Sequence, residues 1–267
     1  MKRPAVPAGK LLFLHVPKCG GATFYRILTR NFRRVYPPIN GSLESIEQLR
    51  SLPRRELERY DAFGGHFFFG AHELFESPCT YVSFVRHPVP RVLSNYLYIF
   101  QSKAHVLHKF VCPEGRAPMP LLDFVASNLS GALENQVVLM LGNRGIRRPE
   151  FIERFALEVQ EGKYPNFRIP FDDDGWSALL ERARSNIETH FACVGLTERF
   201  DESLGVMRSL LPLADVSYAA VNVTIAKASD ADLKAASEVI LRRNRYDLAL
   251  YEFCVRRLER QIEARKS

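Results

Sequence analysis

The sequence predicts an α/β fold, a single domain with a central parallel sheet flanked by helices. Three observations lead to it. Residues 11–32 read as a buried apolar strand, a glycine loop and a helix. Residues 79–98 repeat the order of strand, turn and helix. Strand-like and helical stretches then alternate to the C-terminus without a linker, an internal repeat or a low-complexity segment, the pattern of a parallel sheet wrapped by crossover helices.

The first unit runs Leu11-Leu-Phe-Leu-His15 as strand, Pro17 to Gly21 as loop, and a helix from about Ala22 to Phe32 with Phe24, Ile27, Leu28 and Phe32 on one face. Gly20 and Gly21 let the backbone approach an anion closely. The helix N-terminus supplies free N–H groups and the positive end of its dipole, and Lys18 adds a mobile cation. The loop is thus P-loop-like without being a Walker A sequence, because Lys18 precedes the glycines. Cys19 sits inside it, filling a tight turn or serving as a reactive thiol whose pKa a helix terminus lowers.

Residues 42–60 read as two short helices broken at Pro53, with Arg54, Arg55 and Arg59 as a solvated face. Gly64-Gly65-His66 bends the backbone and presents an imidazole, the natural general base near neutral pH. His72 and then Glu73 are next in line for that role. Tyr81 to Val85 is a β-rich apolar strand, and Arg86 lies at its carboxyl end, where open α/β sheets bind ligands. Pro88 and Pro90 end the strand and suit a helix start, and Ser94 lies about one turn on. Arg86 and Ser94 can converge on one phosphate.

Of the remaining stretches, 121–125, 135–141, 149–161 and 176–189 read as helices, 190–195 as a short buried strand, and 230–264 as two helices. His105, His108 and Cys112 share a helix face but read as a basic segment rather than a metal cluster. Asp172-Asp-Asp174 reads as a turn or helix cap, and Asp201 as the cap of the helix that follows the last strand. No metal site is expected.

Composition narrows the partner. The chain has 267 residues, is 46% hydrophobic and carries a net charge of +7. Residues 1–43 hold eight Lys or Arg and no acid, and residues 77–113 hold four and no acid. Both key stretches therefore lie on acid-free basic ground, which favours an anionic ligand. No helix-turn-helix, zinc-finger or RNA-binding signature accompanies it, so a small multiply charged nucleotide fits better than nucleic acid. Five scattered cysteines form no Cys-x-x-Cys pair, no apolar run is long enough to span a bilayer, and the N-terminus lacks a signal-peptide core. A cytoplasmic protein is expected; oligomeric state is not legible.

Two stretches then resemble one family. Pro17-Lys18-Cys19-Gly20-Gly21-Ala22-Thr23 is similar to the 5′-phosphosulfate loop of sulfotransferases, Pro-Lys-Thr/Ser-Gly-Gly-Thr-Ser/Thr. Phe84-Val-Arg86-His-Pro88-Val-Pro-Arg91-Val-Leu-Ser94-Asn-Tyr96 resembles their 3′-phosphate motif, about 68 residues further on. The chain looks like the group that includes heparan sulfate 2-O- and 6-O-sulfotransferases and bacterial relatives. Gly65-His66-Phe67 is similar to the segment that carries their base.

The resemblance implies a PAPS-dependent sulfotransferase, using 3′-phosphoadenosine 5′-phosphosulfate and releasing adenosine 3′,5′-bisphosphate (PAP). The acceptor would be a hydroxyl, on a carbohydrate. It assigns catalysis to His66 and Lys18, and nucleotide binding to Lys18, Cys19, Gly20, Gly21, Ala22, Thr23, Arg86 and Ser94. Thr224 and Lys227, after Val221-Asn222-Val223, would close over the nucleotide. Cys19 and Ala22 depart from the pattern, removing hydroxyls the loop often carries. One sulfotransferase domain over 1–267 is expected, with a helical and loop insertion at about 100–175 facing the acceptor. The rival readings are a P-loop kinase or nucleotide hydrolase, and a non-catalytic nucleotide- or glycan-binding module.

Overall fold

A computed structural model of the chain describes residues 9–40, 43–146, 169–219 and 230–266, with single residues between 149 and 167. Strands β1 (Lys10–Leu14), β2 (Ala62–Gly65), β3 (Cys79–Val85) and β4 (Phe191–Leu196) form one parallel sheet in the order β2-β1-β3-β4. The chain moves from β1 outward to β2, then crosses back past β1 to β3. The strand order therefore reverses between β1 and β3, and in open α/β sheets the crevice beyond the strand ends at such a point is where ligands bind.

β1 is buried along its whole length, as expected for a strand covered on both faces. Helix α1 (Gly21–Asn31) follows the glycine loop and buries Phe24, Ile27 and Leu28 on the sheet. Phe24 meets Phe13 at 4.8 Å and Phe84 at 5.2 Å, and Phe84 stacks on Phe200 at 4.5 Å. This aromatic row fixes the angle at which the loop leaves β1. Truncating one such ring to Ala costs about 3–5 kcal/mol.

The expected break at Pro53 is present, between α2 (Leu43–Ser51) and α3 (Arg54–Leu57), with Arg54, Arg55 and Arg59 exposed. Strand β2 was not foreseen as a strand: half of its residues are glycine, which weakens any β signal. It still pairs with β1 from Leu11↔Ala62 to Leu14↔Gly65. Its glycines serve close approach instead. A Cβ on Gly65, whose φ is 153°, would lie 2.2 Å from the Ile39 carbonyl oxygen.

Helix α4 (Pro88–Gln101) leaves β3, and α5 (His108–Val111), α6 (Leu121–Ala126) and α7 (Gln136–Leu141) follow. Val92 and Ile99 of α4 share a second apolar cluster with Leu107, Val111, Phe124 and Leu133. Ala236 and Ile240 of a later helix, numbered α10 below, close it. This cluster stands beside the main core around the sheet and gives the segment after α4 an anchorage of its own.

Helix α8 (Asp173–His190) begins on Asp172, whose carboxylate accepts from Gly175 N–H, so the acidic triplet includes a cap as expected. Helix α9 (Phe200–Leu210) corrects another expectation. Its N-cap is Arg199, and Asp201 already lies inside the first turn, accepting from the Tyr218 hydroxyl. Helices α10 (Asp230–Arg243) and α11 (Arg245–Glu263) complete the described chain. Among the described residues no helix is long and apolar enough to cross a membrane.

Candidate functional site

Three adjacent strands bring their carboxyl ends to one place. β1 ends into His15 and the loop, β2 into His66, and β3 into Arg86. The loop itself is tightly wound. Lys18 (φ 66°) and Gly20 (φ 78°) both adopt left-handed conformations, and Gly20 caps α1. A Cβ on Gly21 would fall within 1.9 Å of the His15 imidazole, so only glycine admits that ring beside the loop.

Arg86 reaches across from β3 and donates from Nη1 to the Lys18 carbonyl at 3.4 Å, a long bond, while its buried Nε has no partner. Among the described residues four buried side-chain nitrogens lack partners. Three of them fall within ten residues of one another: Arg86 Nε, Arg91 Nε and Asn95 Nδ2. Leaving a buried donor unpaired is costly, and a cluster of them calls for an acceptor. The Ser94 hydroxyl, 8% exposed on the first turns of α4, also makes no hydrogen bond among the described residues. Nor does Thr23, half-buried in the first turn of α1, whereas Ala22 is exposed.

Lys18 is partly buried, and burial, followed by repulsion from Arg86, lowers its pKa. Two cations held this close, with no carboxylate paired to either among the described residues, favour an anion by their electrostatics.

Cys19 corrects an expectation. It is fully buried, with its thiol turned to the Pro17 carbonyl at 3.6 Å, and burial pushes its pKa up to about 12 rather than down. Desolvation outweighs the helix terminus, so the residue fills the turn and leaves only its backbone for the anion.

His66 Nδ1 lies 2.8 Å from the His15 carbonyl oxygen, which can only accept. Nδ1 therefore carries the proton in the neutral ring and Nε2 the lone pair, the tautomer of a general base. The two rings stack at 4.2 Å, with Phe13 on the far side of His15 at 5.3 Å. Burial above all, then the neighbouring His66 and Lys18, hold the His15 pKa down to about 3, so His15 stays neutral. His15 was not singled out from sequence. Its position at the end of the strand before the loop was the available signal.

His72 is displaced as an alternative base. It bonds the Tyr81 hydroxyl at 3.0 Å and packs on His190 at 4.8 Å. His190 immediately precedes β4, so both rings, and Glu73 with them, belong to the opposite edge of the sheet. His105 lies near Lys18, whereas His108 turns to the Ile99 carbonyl at 2.8 Å. Among the described residues no group of three His, Cys, Asp or Glu could hold a metal ion. Thr224 and Lys227 lie outside the described residues.

Sequence reading also missed a buried network behind the site. Arg91, fully enclosed, donates from Nη1 to the Ala132 carbonyl and Gln136 Oε1 and from Nη2 to Asn244 Oδ1 and Asp247 Oδ2, at 2.9–3.2 Å. Asp247 also accepts from the Val137 and Val138 N–H groups, and Asn135 Oδ1 accepts from the Tyr246 and Asp247 N–H groups. Burial raises the Asp247 pKa against the pull of Arg91. The network ties α4, α7 and α11 together and fixes the helix that carries Ser94.

Residues 6–118, which include the loop, His66 and the Arg86–Ser94 turn, match the Sulfotransferase family. Over that region, somewhat under half of its length, the chain is similar to the sulfotransferase family. It is 24% identical over 194 residues to a uronyl 2-sulfotransferase homolog, pip, of Drosophila melanogaster. The match takes in 69% of this chain and 37% of the fly protein, so the chain spans well under half of that relative's length. The mouse sulfotransferase SULT7A1, solved in complex with PAP, is 14% identical and overlays 92% of this chain on 88% of its own at a TM-score of 0.36. That overlay is too loose to transfer a residue's role.

Proposed function

We propose that this chain is a sulfotransferase that moves a sulfuryl group from 3′-phosphoadenosine 5′-phosphosulfate to a carbohydrate hydroxyl, the 267 residues acting as one catalytic domain. The observation that carries the proposal is the pair Lys18 and Arg86 at the switch point between β1 and β3, with Arg86 Nε buried and unpartnered. The donors present fit such a nucleotide. Lys18, the loop N–H groups around Gly20 and Gly21, and the Thr23 hydroxyl suit its 5′-phosphosulfate. Arg86 and Ser94 suit its 3′-phosphate. Cys19 and Ala22 contribute backbone only.

When bound, the nucleotide supplies the sulfuryl group. Sulfuryl transfer resembles phosphoryl transfer in asking for position and charge rather than covalent help from the protein. His66 Nε2 takes the acceptor hydroxyl's proton, while the Nδ1–H bond to the His15 carbonyl holds the ring in place. Lys18 and the N-terminus of α1 set positive charge where negative charge develops on departure. The neutral His15 stacked on His66 adds no charge that would repel the proton arriving there. The carbohydrate acceptor rests on the likeness to the fly uronyl 2-sulfotransferase homolog.

The test is transfer of radiolabelled sulfate from the nucleotide to a panel of polysaccharides with and without uronic acid. Wild type should label at least one of them. His66→Ala should lower turnover by about 10²–10⁴-fold while PAP still binds. Labelling of phenols or steroids with no polysaccharide labelled would remove the carbohydrate reading, and normal turnover by His66→Ala would move the base elsewhere.

A further inference from the structure

The resting place of Lys18 is an aromatic ring. Among the described residues no carboxylate pairs with it; its Nζ sits 4.1 Å from the centroid of Tyr98. Tyr98 is four residues after Ser94 on α4, so both share the face turned toward the loop. The ring is 48% exposed, and it does not belong to the packing of either apolar cluster.

His105 supports the ring from the side. It meets Tyr98 edge-on, with centroids 5.5 Å apart and an interplanar angle of 84°. The Leu107 N–H donates to His105 Nδ1 at 3.1 Å, which places the proton of the neutral ring on Nε2. Burial, then Lys18 and His108, push the His105 pKa below its ordinary value, so near neutrality the ring adds no third positive charge beside Lys18 and Arg86. The titratable groups facing Lys18 are thus Arg86 after β3, His15 after β1, Cys19 in the loop and His105 after α4. Of these, Arg86 is the cation near neutrality, and with burial it disfavours a charged lysine. The quadrupole of Tyr98 is the attraction that opposes them.

We propose that Tyr98 is a positioning residue whose ring face holds the Lys18 ammonium at the mouth of the anion loop, charged and ready for the phosphosulfate end of the nucleotide. The purpose of this perch rests on the nucleotide reading given above; the perch itself does not.

The experiment therefore has two arms, on the full chain as wild type, Tyr98→Phe and Tyr98→Leu. In the first, the acylation rate of Lys18 by an amine-reactive ester is followed by mass spectrometry from pH 7 to 10. Loss of the ring should raise that rate about threefold and lower its pH midpoint by about half a unit in Tyr98→Leu, with Tyr98→Phe matching wild type. In the second, PAP affinity measured by calorimetry should fall about threefold in Tyr98→Leu and hold in Tyr98→Phe. Since Tyr98 is half-exposed, melting temperatures should stay together, which separates positioning from damage to the fold. Equal midpoints in wild type and Tyr98→Leu would overturn the proposal, as would a Tyr98→Phe variant that behaves like Tyr98→Leu. Separated midpoints in a wild type that binds no PAP would uphold the perch and bring down the nucleotide reading instead.

Discussion

Arg86 and Arg91 stand five residues apart on one strand-to-helix turn and have opposite roles. Arg91 is fully buried, and its two terminal nitrogens meet Ala132, Gln136, Asn244 and Asp247. Arg86 is only partly buried and spends one long bond on the Lys18 carbonyl. The first guanidinium is consumed by the fold, and the second, in the function proposed here, is held for a ligand. Residue type and spacing do not separate them. What separates them is how far the protein itself satisfies each fork of donors.

That contrast can be broken at either arginine, and the fold should respond most at Arg91. Arg91→Leu leaves Asp247 enclosed and without its cation, so the unfolding free energy in urea should fall by about 3–5 kcal/mol. Arg86→Leu removes a charge that no carboxylate balances among the described residues. Its unfolding midpoint should stay close to wild type while PAP affinity drops about 10–100-fold, measured by calorimetry. If both variants lost stability equally, the division between a structural and a ligand-facing arginine would be wrong.

A smaller effect sharpens the picture of the loop beside Arg86. Gly21→Ala drives a methyl into the His15 ring and should cost about 1–3 kcal/mol by overpacking, with His66 losing its stacking partner's position. The neighbouring His15 ring gives a pH dependence. The folded-state pKa of His15 is about 3, below its unfolded value of 6.5, so between these values the unfolded state binds more protons. The stability tied to neutral His15 is fully present above pH 6.5 and is lost as pH falls toward 3. In His15→Asn that part of the slope should vanish from urea titrations taken across this window. An unchanged slope would show that the ring is solvated.

Much of the fold was legible because it is written locally. The apolar runs of β1, β3 and β4 and the proline-started α4 are each set by neighbouring residues. β2 was hidden because Gly64 and Gly65, chosen for close approach to Ile39 and Tyr25, erase the usual strand signal. The anion loop, Arg86 and Ser94 could be read because strand ends and helix starts position them. Three features could not. Cys19 fills the tight turn as expected, but the direction of its pKa shift was missed because its burial depends on elements far along the chain, such as Phe200 packed beside Gly20. His15 looked like the last residue of a strand until β2 brought His66 against it. Ala132, Gln136, Asn244 and Asp247 meet Arg91 across separations of 41 to 156 residues in sequence, which no local pattern encodes.

The central claim is that Lys18 and Arg86 form the site of a nucleotide bearing phosphates at both its 3′ and 5′ positions. The most direct measurement is a thermal-shift titration of wild type and Arg86→Leu with PAP, AMP, and ATP with magnesium. A ligand that binds only the native state raises the melting temperature. The structure predicts a rise with PAP well above that with AMP or ATP, and its loss in Arg86→Leu. No rise with PAP, or an equal rise with ATP and magnesium that survives in Arg86→Leu, would contradict the account.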